Sequence, residues 1–247
     1  MKVVIDEINT ARFGIKMGNI LDIGDDINIV DVNNIISSSR TEGYKNVSVK
    51  IFAENKMATN IFLENGFSLV DTQLVYVIPT ERFKQCVSKQ LYLDDQIVSF
   101  REYKENDKQQ VMNIAKTAYV LDQYHSDTSL DNSLCDNYYA KWIKNCCDGY
   151  ADKVLVASNN ESGEVVGYMA LKYKKDHATV ILAAVKERYR GNGIFTFLLE
   201  NTLSMLRIEN VDKLYYGTQL ANLPVLRAMG RFNGYIEYSM HVMHHSL

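Results

Sequence analysis

A unit written twice constrains this 247-residue chain more than any other feature in it. Residues 47–52 (VSVKIF) alternate like a strand, Asn55 follows, residues 57–64 have helical spacing, Asn65-Gly66 stops the helix, and residues 74–78 alternate again. Late in the chain residues 214–219 (LYYGTQ), Asn222, residues 224–232, Asn233-Gly234 and residues 238–243 repeat that order, with offsets of 167 for the Asn pair and 168 for the Gly pair. The physics is shared: Asn accepts free amides at a helix start, and Asn-Gly tolerates the left-handed backbone that ends a helix. Two strand-helix-strand units imply an α/β chain of two related halves.

Between the copies, Pro79 ends a strand and the polar residues 80–90 read as a connector, so the boundary falls near residues 80–95. Beyond it the patterning predicts a strand over 97–102, a helix over 108–121 with Val111, Ile114, Ala115 and Ala118 on one face, and a second helix over 137–147. Strands over 154–158, 165–173 and 179–185 follow, separated by turns at 159–163 and 174–177, with a long helix over 195–207. The first half reads as a shortened version, with a strand near Asp6, another over 15–22 and a helix over 27–39. The expected division is a truncated half, 1–90, and a complete one, 91–247.

Composition removes several function classes. Lys plus Arg number 27 against 30 Asp plus Glu, a net charge of −3 with no dense basic block, which offers no footprint for nucleic acid or an anionic membrane. Apolar runs such as 180–185 fall far short of the roughly 20 residues a membrane helix needs. Asp6 and Glu7 spoil the N-terminus as a secretion signal, so a cytoplasmic protein is expected. Cys86, Cys135, Cys146 and Cys147 lack metal or redox spacing and read as reduced thiols, and no metal is expected.

The sharpest motif follows the strand ending at Val185. Arg188, Gly191 and Gly193 stand in an R-x-x-G-x-G pattern, Arg190 and Asn192 lie between them, Ile194 ends the motif, and a helix follows from Phe195. Closely spaced glycines let the chain turn with its amides exposed, and the helix adds its positive end, a cradle for pyrophosphate. Neither a dinucleotide fingerprint nor a P-loop is present.

On these residues, together with the preceding strand and the Asn222 helix unit, the sequence resembles the GNAT superfamily of acyl-coenzyme A dependent N-acyltransferases over most of 97–247. The resemblance implies a mixed central sheet flanked by helices, with acyl-coenzyme A as co-substrate. Loop amides would hold the pyrophosphate, and Leu182, Ala183 and Val185 would pair with pantetheine where the strand splays from its neighbour. The Val185 N–H would polarise the thioester carbonyl. More narrowly, Arg12-Phe13-Gly14, Lys50-Ile51 with Asn55, residues 66–70, 124–127 and 139–143, and Thr218-Gln219 with Asn222 resemble the dTDP-fucosamine N-acetyltransferase group. Its wider circle acylates dTDP-linked amino-deoxy sugars with acetyl or 3-hydroxybutanoyl groups, for surface polysaccharide. A homodimer is implied by the same resemblance.

Many members of the family place a tyrosine seven residues after the Asn as the acid for the departing sulfur; here Met229 stands there and cannot donate. Nor does the strand over 179–185 carry the Glu that often serves as base, which suggests direct attack aided by positioning. For the acceptor side, His125 fits a proton acceptor or a ligand for a sugar hydroxyl, or else an ordinary surface histidine, and Asp127 fits an ammonium anchor. His177 reads as solvated, His244 and His245 as tail residues, Trp142 as core, and Arg227 as either solvated or facing the adenosine phosphates. Two alternatives remain: a protein or small-amine acetyltransferase on the same scaffold, and a protein binding coenzyme A or a nucleotide sugar without turnover.

Overall fold

The computed structural model describes residues 1–24, 26–83, 87–93 and 96–247, so Cys86 and parts of the expected connector lie outside the described residues. Its elements run β1 (Lys2–Ile5), α1 (Glu7–Phe13), β2 (Met17–Leu21), α2 (Ile29–Thr41), β3 (Asn46–Phe52), α3 (Lys56–Glu64), β4 (Ser68–Pro79), β5 (Gln90–Leu93) and β6 (Gln96–Glu102). Then come α4 (Lys108–Ala118), α5 (Asn132–Asn145), β7 (Lys153–Asn159), β8 (Val165–Tyr173), β9 (His177–Val185), α6 (Ile194–Ile208), β10 (Lys213–Gln219), α7 (Leu223–Arg231) and β11 (Tyr235–Ser246).

Among the described residues eleven strands form one mixed sheet in the order β1-β2-β3-β11-β4-β10-β9-β8-β7-β6-β5. β2 with β3 and β9 with β10 are parallel, and the remaining neighbours are antiparallel. The halves exchange their last strands: β4 of the first lies between β11 and β10, and β11 of the second lies between β3 and β4. Neither half therefore closes its own sheet.

Helices cover both faces. α6 and α7 pack Leu198, Leu199, Leu203 and Met229 on strands of the second half, and α2 and α3 pack Val32, Ile36 and Phe62 on Val49 and Ile51 of β3. Cross-strand partners share a face, and the registers put these two clusters on the same side of the sheet. The opposite side carries α4 and α5, whose Ile114, Tyr139 and Ile143 meet Tyr168 and Leu182, with α1 beside α5.

Several local expectations change. Asp6 is a cap rather than a strand residue: its carboxylate accepts from Asn9 N–H at 2.9 Å and starts α1, which has no counterpart in the predicted order. α4 stops at Ala118 because Tyr119 leaves the helical region, at φ −109° and ψ 89°. α5 begins five residues before the predicted start and passes into a π-helical turn, Cys146–Tyr150. β5 is an additional edge strand. Asn55 caps α3 as expected, accepting from Ala58 N–H at 3.0 Å, but the Asn222 side chain does not cap α7 and instead donates to Thr218 Oγ1 at 3.2 Å. In the second helix stop Asn233 takes the left-handed backbone, at φ 54°, while Gly66 does so in the first, at φ 85°.

Candidate active site

β9 and β10 pair only over His177–Val180 and Lys213–Tyr216. Beyond these residues β10 stays with β4 up to Gln219 and β9 stays with β8 up to Val185, so a gap opens between the two parallel strands. A bulge at Ile181 marks the divergence, because Leu171 pairs with Val180 while Ala170 pairs with Leu182. The extra residue turns β9 over. Ala178 and Val180 face α6, whereas Leu182 and Ala184 face α4 and α5.

The ladder decides which backbone groups line the gap. Lys186 N–H donates to Val166 O at 2.9 Å, and the two-residue alternation of an antiparallel pair then turns Ala184 toward β8 and Ala183 and Val185 toward the gap. Both exposed carbonyls hold a donor: Tyr119 Oη donates to Ala183 O at 3.0 Å, and Arg190 Nε to Val185 O at 3.3 Å. Leu182 departs from expectation. The same alternation points its N–H and C=O at Ala170, and its side chain is buried under α4 and α5.

At the open end lies the glycine loop. Gly191 and Gly193 have φ of 84° and 77°, with no atom within 4 Å of where a Cβ would stand, so the left-handed backbone rather than crowding calls for glycine. Asn192 between them is exposed. α6 begins at Ile194 without a side-chain cap, which leaves the amides of its first turn available to an anion, while the Ile194 side chain anchors the turn in the core. Arg188 does not point freely into the loop. It and Lys186 pair with Glu164, which also accepts from Tyr189 Oη at 2.9 Å. Burial pushes the Glu164 carboxyl up, but Lys186, Tyr189 and Arg188 outweigh it and hold it below the usual range. Arg190 extends from the loop to Thr117 O at the end of α4, 3.4 Å away.

On the α4 and α5 side the central strands are partly uncovered. Gly217 of β10 meets nothing within 4 Å on this side, and along the same face lie Val75, Gln73, Tyr238 and Phe52. The exposed rings of Phe52 and Tyr238 meet edge to face, 5.7 Å apart. This partly uncovered strip borders the gap.

The loop between α4 and α5 overlooks it and carries both predicted acceptor residues, with different partners. His125 Nδ1 lies 2.6 Å from Asp122 Oδ2, and Asp122 also accepts the N–H of Tyr124 at 2.7 Å and of His125 at 3.2 Å. Asp122 bonds Tyr139, whose ring stacks on Tyr119 at 4.1 Å, so the pair stands one aromatic layer from the gap. Asp127 is buried and saturated: Ser129 N–H and Oγ, Asn46 Nδ2 and His244 Nδ1 lie at 2.9, 2.6, 3.2 and 2.7 Å. Burial pushes its carboxyl up, but the bonds from His244 and Ser129 prevail and hold it at about 2. That leaves no free oxygen for an ammonium. His244 is thus no tail residue but a buried member of β11, and His245 stacks on Phe67 at 4.9 Å. His177 opens β9 against Asp176 and the Tyr215 ring, and Trp142 packs beside Tyr138 and Tyr139. Tyr119 and Asp122 were missed in the sequence, although an Asp three residues before a His in a loop is a legible turn signal.

The sequence pattern of the acetyltransferase (GNAT) family matches residues 109–235, half of the chain. The chain belongs to the GNAT acetyltransferase family. The matched segment contains the gap, the glycine loop and both flanking helices, and acyltransferases of this family take their acyl group from acyl-coenzyme A. The structure suits that co-substrate: an uncapped helix start for the pyrophosphate, and two strand carbonyls facing a gap for the pantetheine amides.

A relative from Bacillus subtilis (strain 168), the spore coat polysaccharide biosynthesis protein SpsD, is 27% identical over 138 residues, 56% of this chain. The match spans only 47% of SpsD, about half the length of that relative. Among solved structures, a GCN5-related N-acetyltransferase from Sphaerobacter thermophilus superposes with a TM-score of 0.72 at 13% identity, covering 99% of this chain and 75% of that one. A tandem GNAT protein from the clavulanic acid biosynthesis pathway gives 0.63 at 11% identity, covering 93% and 75%. At such identities the likeness is one of fold, and it extends over both halves. No helix among the described residues is long and apolar enough to cross a membrane.

Proposed function

We propose that this protein transfers an acyl group, acetyl or 3-hydroxybutanoyl, from acyl-coenzyme A to the amine of a dTDP-linked amino-deoxy sugar in surface-polysaccharide biosynthesis. The observation that carries the substrate class is the likeness to SpsD, whose name places it in polysaccharide biosynthesis. The uncovered strip beside the gap supports it, since exposed Phe52 and Tyr238 beside Gln73 suit a ligand with a planar base and many hydroxyls.

In this reading the amides after Gly191 and Gly193 hold the pyrophosphate, Arg190 steers it, and the Ala183 N–H, the inner gap-facing amide of β9, polarises the thioester carbonyl in place of the expected Val185 N–H, which lies on the outer side of the Ala183 carbonyl. Asn222 holds the Thr218 hydroxyl at the turn into α7. The acceptor amine attacks directly, and His125, oriented by Asp122, accepts a proton or a sugar hydroxyl. Asp127 acts through the loop it fastens. We further read residues 1–90 and 91–247 as the two halves, and the active species as a homodimer, which sedimentation would check.

The test is thiol release over a grid of acyl-coenzyme A donors and amines: dTDP-amino sugars, glucosamine phosphate and lysine peptides. Release with nucleotide sugars alone is the expected outcome. Release with peptides alone would overturn the sugar reading, and silence with coenzyme A still bound in calorimetry would point to binding without turnover.

A further inference from the structure

The family's usual donor to the leaving sulfur is absent, since Met229 is fully buried in the core under α7. We propose that Tyr119, at the end of α4, is the donor that protonates the departing thiolate, with Tyr168 as its positioning residue. The inference rests on the acyltransferase reading above.

Three observations meet at this hydroxyl. It lies inside the gap, 3.0 Å from Ala183 O, the inner of the two gap-facing carbonyls. A ligand whose pyrophosphate sits at the glycine loop and whose chain threads the gap ends at its closed end, near Val180 and Tyr216, where Ala183 is the nearer carbonyl and Val185 the farther. The hydroxyl is also aimed. The fully buried Tyr168 places its own hydroxyl 3.0 Å away, and since the Tyr119 proton points at Ala183, Tyr168 donates to the Tyr119 oxygen. Finally, the ring is clamped by Tyr139, stacked at 4.1 Å. The chain leaves the helix at Tyr119 itself, which turns the side chain into the gap instead of continuing along α4.

The contact with Ala183 O is one that a ligand amide N–H can take over, which frees the Tyr119 proton for the sulfur. The step balances without another reactant. The acceptor nitrogen forms the C–N bond, the C–S bond breaks with its electrons on sulfur, and sulfur receives the Tyr119 proton. The proton shed by the acylated nitrogen returns to the Tyr119 oxygen, leaving an amide and a free thiol. The groups facing this hydroxyl are Tyr168 from β8, Tyr139 from α5 and Tyr216 from β10, and Arg190 of the loop reaches the Thr117 carbonyl two residues before Tyr119. Burial, with the neighbouring phenols, raises Tyr119 well above an ordinary tyrosine, so it keeps its proton through the neutral range.

Tyr119→Phe keeps the ring stack and removes only the donor. It should lower kcat by about 100-fold, the lower end for loss of an acid-base group, with the acyl-coenzyme A Kd unchanged by calorimetry. Difluorotyrosine at position 119 supplies a readout that a packing role would not move: a more acidic donor brings an alkaline fall of kcat down into the accessible pH range. A Tyr119→Phe rate within twofold of wild type would overturn the inference while leaving the acyltransferase reading intact. If the wild type releases no thiol with any amine, that reading fails instead. In that case a ¹⁹F signal from fluorotyrosine at 119 that is unmoved by saturating coenzyme A would overturn the placement, and a shifted one would uphold it.

Discussion

The strand-loop-helix unit occurs twice in this sheet, as β2 to α2 and as β9 to α6, and only the second is open. Each parallel pair runs for four residues, Met17–Ile20 on Asn46–Val49 and His177–Val180 on Lys213–Tyr216. From there the copies part. β2 ends at Leu21, whereas β9 bulges and continues to Val185, giving the gap a wall. The first loop carries Asp22 and Asp26 around Gly24, and the second carries Lys186, Arg188 and Arg190 around two glycines. The helix starts differ most in kind. Asn28 closes α2 by accepting from Val30 and Asp31 N–H, in a reciprocal capping box with Asp31, while α6 starts with its amides uncovered. An acidic loop and a filled cap reject an anion that a basic loop and an empty one accept. The topology is shared; under the proposed function the capacity to bind the anion rests on the loop and the helix cap.

If the first half has kept only a scaffolding role, its largest contribution is β4, which lies between β10 and β11. Residues 91–247 alone should then fail to give a folded, coenzyme A-binding protein, because β10 would lose one ladder of backbone partners and β11, which lies between β3 and β4, would lose both of its own. Circular dichroism and calorimetry on the fragment decide this. A folded fragment with native affinity would show that the halves are separable and would break the comparison.

Next in size is a change that gives the second loop the character of the first. Gly193→Asp brings a carboxylate to the α6 start, where a phosphate is expected, and forces a side chain into a left-handed backbone at φ 77°. The strain costs about 1 kcal/mol, and repulsion at the phosphate should carry the loss of coenzyme A affinity to about 100-fold, near 3 kcal/mol. Calorimetric titration measures it, and a loss below fivefold would mean that the cradle lies elsewhere.

The seam between halves comes third. Asp127 on the α4–α5 loop binds Asn46 of β3 and His244 of β11, so one carboxylate ties the second half's loop to strands of both. Its carboxyl is held at about 2, below its unfolded value near 4. The stability it contributes is therefore complete above about pH 4 and disappears as pH falls toward 2, a loss of about 2 kcal/mol. Asp127→Asn should remove that increment at neutral pH and flatten the dependence of unfolding free energy between pH 4 and 2, as urea titrations would show. An unchanged slope would mean that the seam is held by other groups.

What could be read in advance followed the range of the interactions involved. Asn55, Gly66 and the Gly191-Asn192-Gly193 turn act within a few residues, and so does the alternation of β9, so the repeated units and the loop were visible in the chain. The exchange of β4 and β11 depends on pairing across more than 150 residues, which alternation does not encode. Asp127 shows the same limit. Its loop position suggested a ligand for substrate, yet its environment is set by His244, 117 residues away. Tyr119 was hidden for another reason: helical spacing extended the helix to residue 121, and only the chain's departure at Tyr119 reveals which way that side chain turns.

The smallest expected effect is the most discriminating for the closed copy. Asn28→Ala removes the cap of α2, and an N-cap of this kind contributes about 1 kcal/mol, so the urea midpoint should fall modestly. Coenzyme A affinity and the ratio of one ligand per chain should stay as they are, because uncapping restores free amides but leaves Asp22 and Asp26 in the loop. A second binding event in the titration of Asn28→Ala would show that the cap alone closes the first copy. In that case the acidic loop contributes nothing, and the distinction between the halves shrinks to a single side chain.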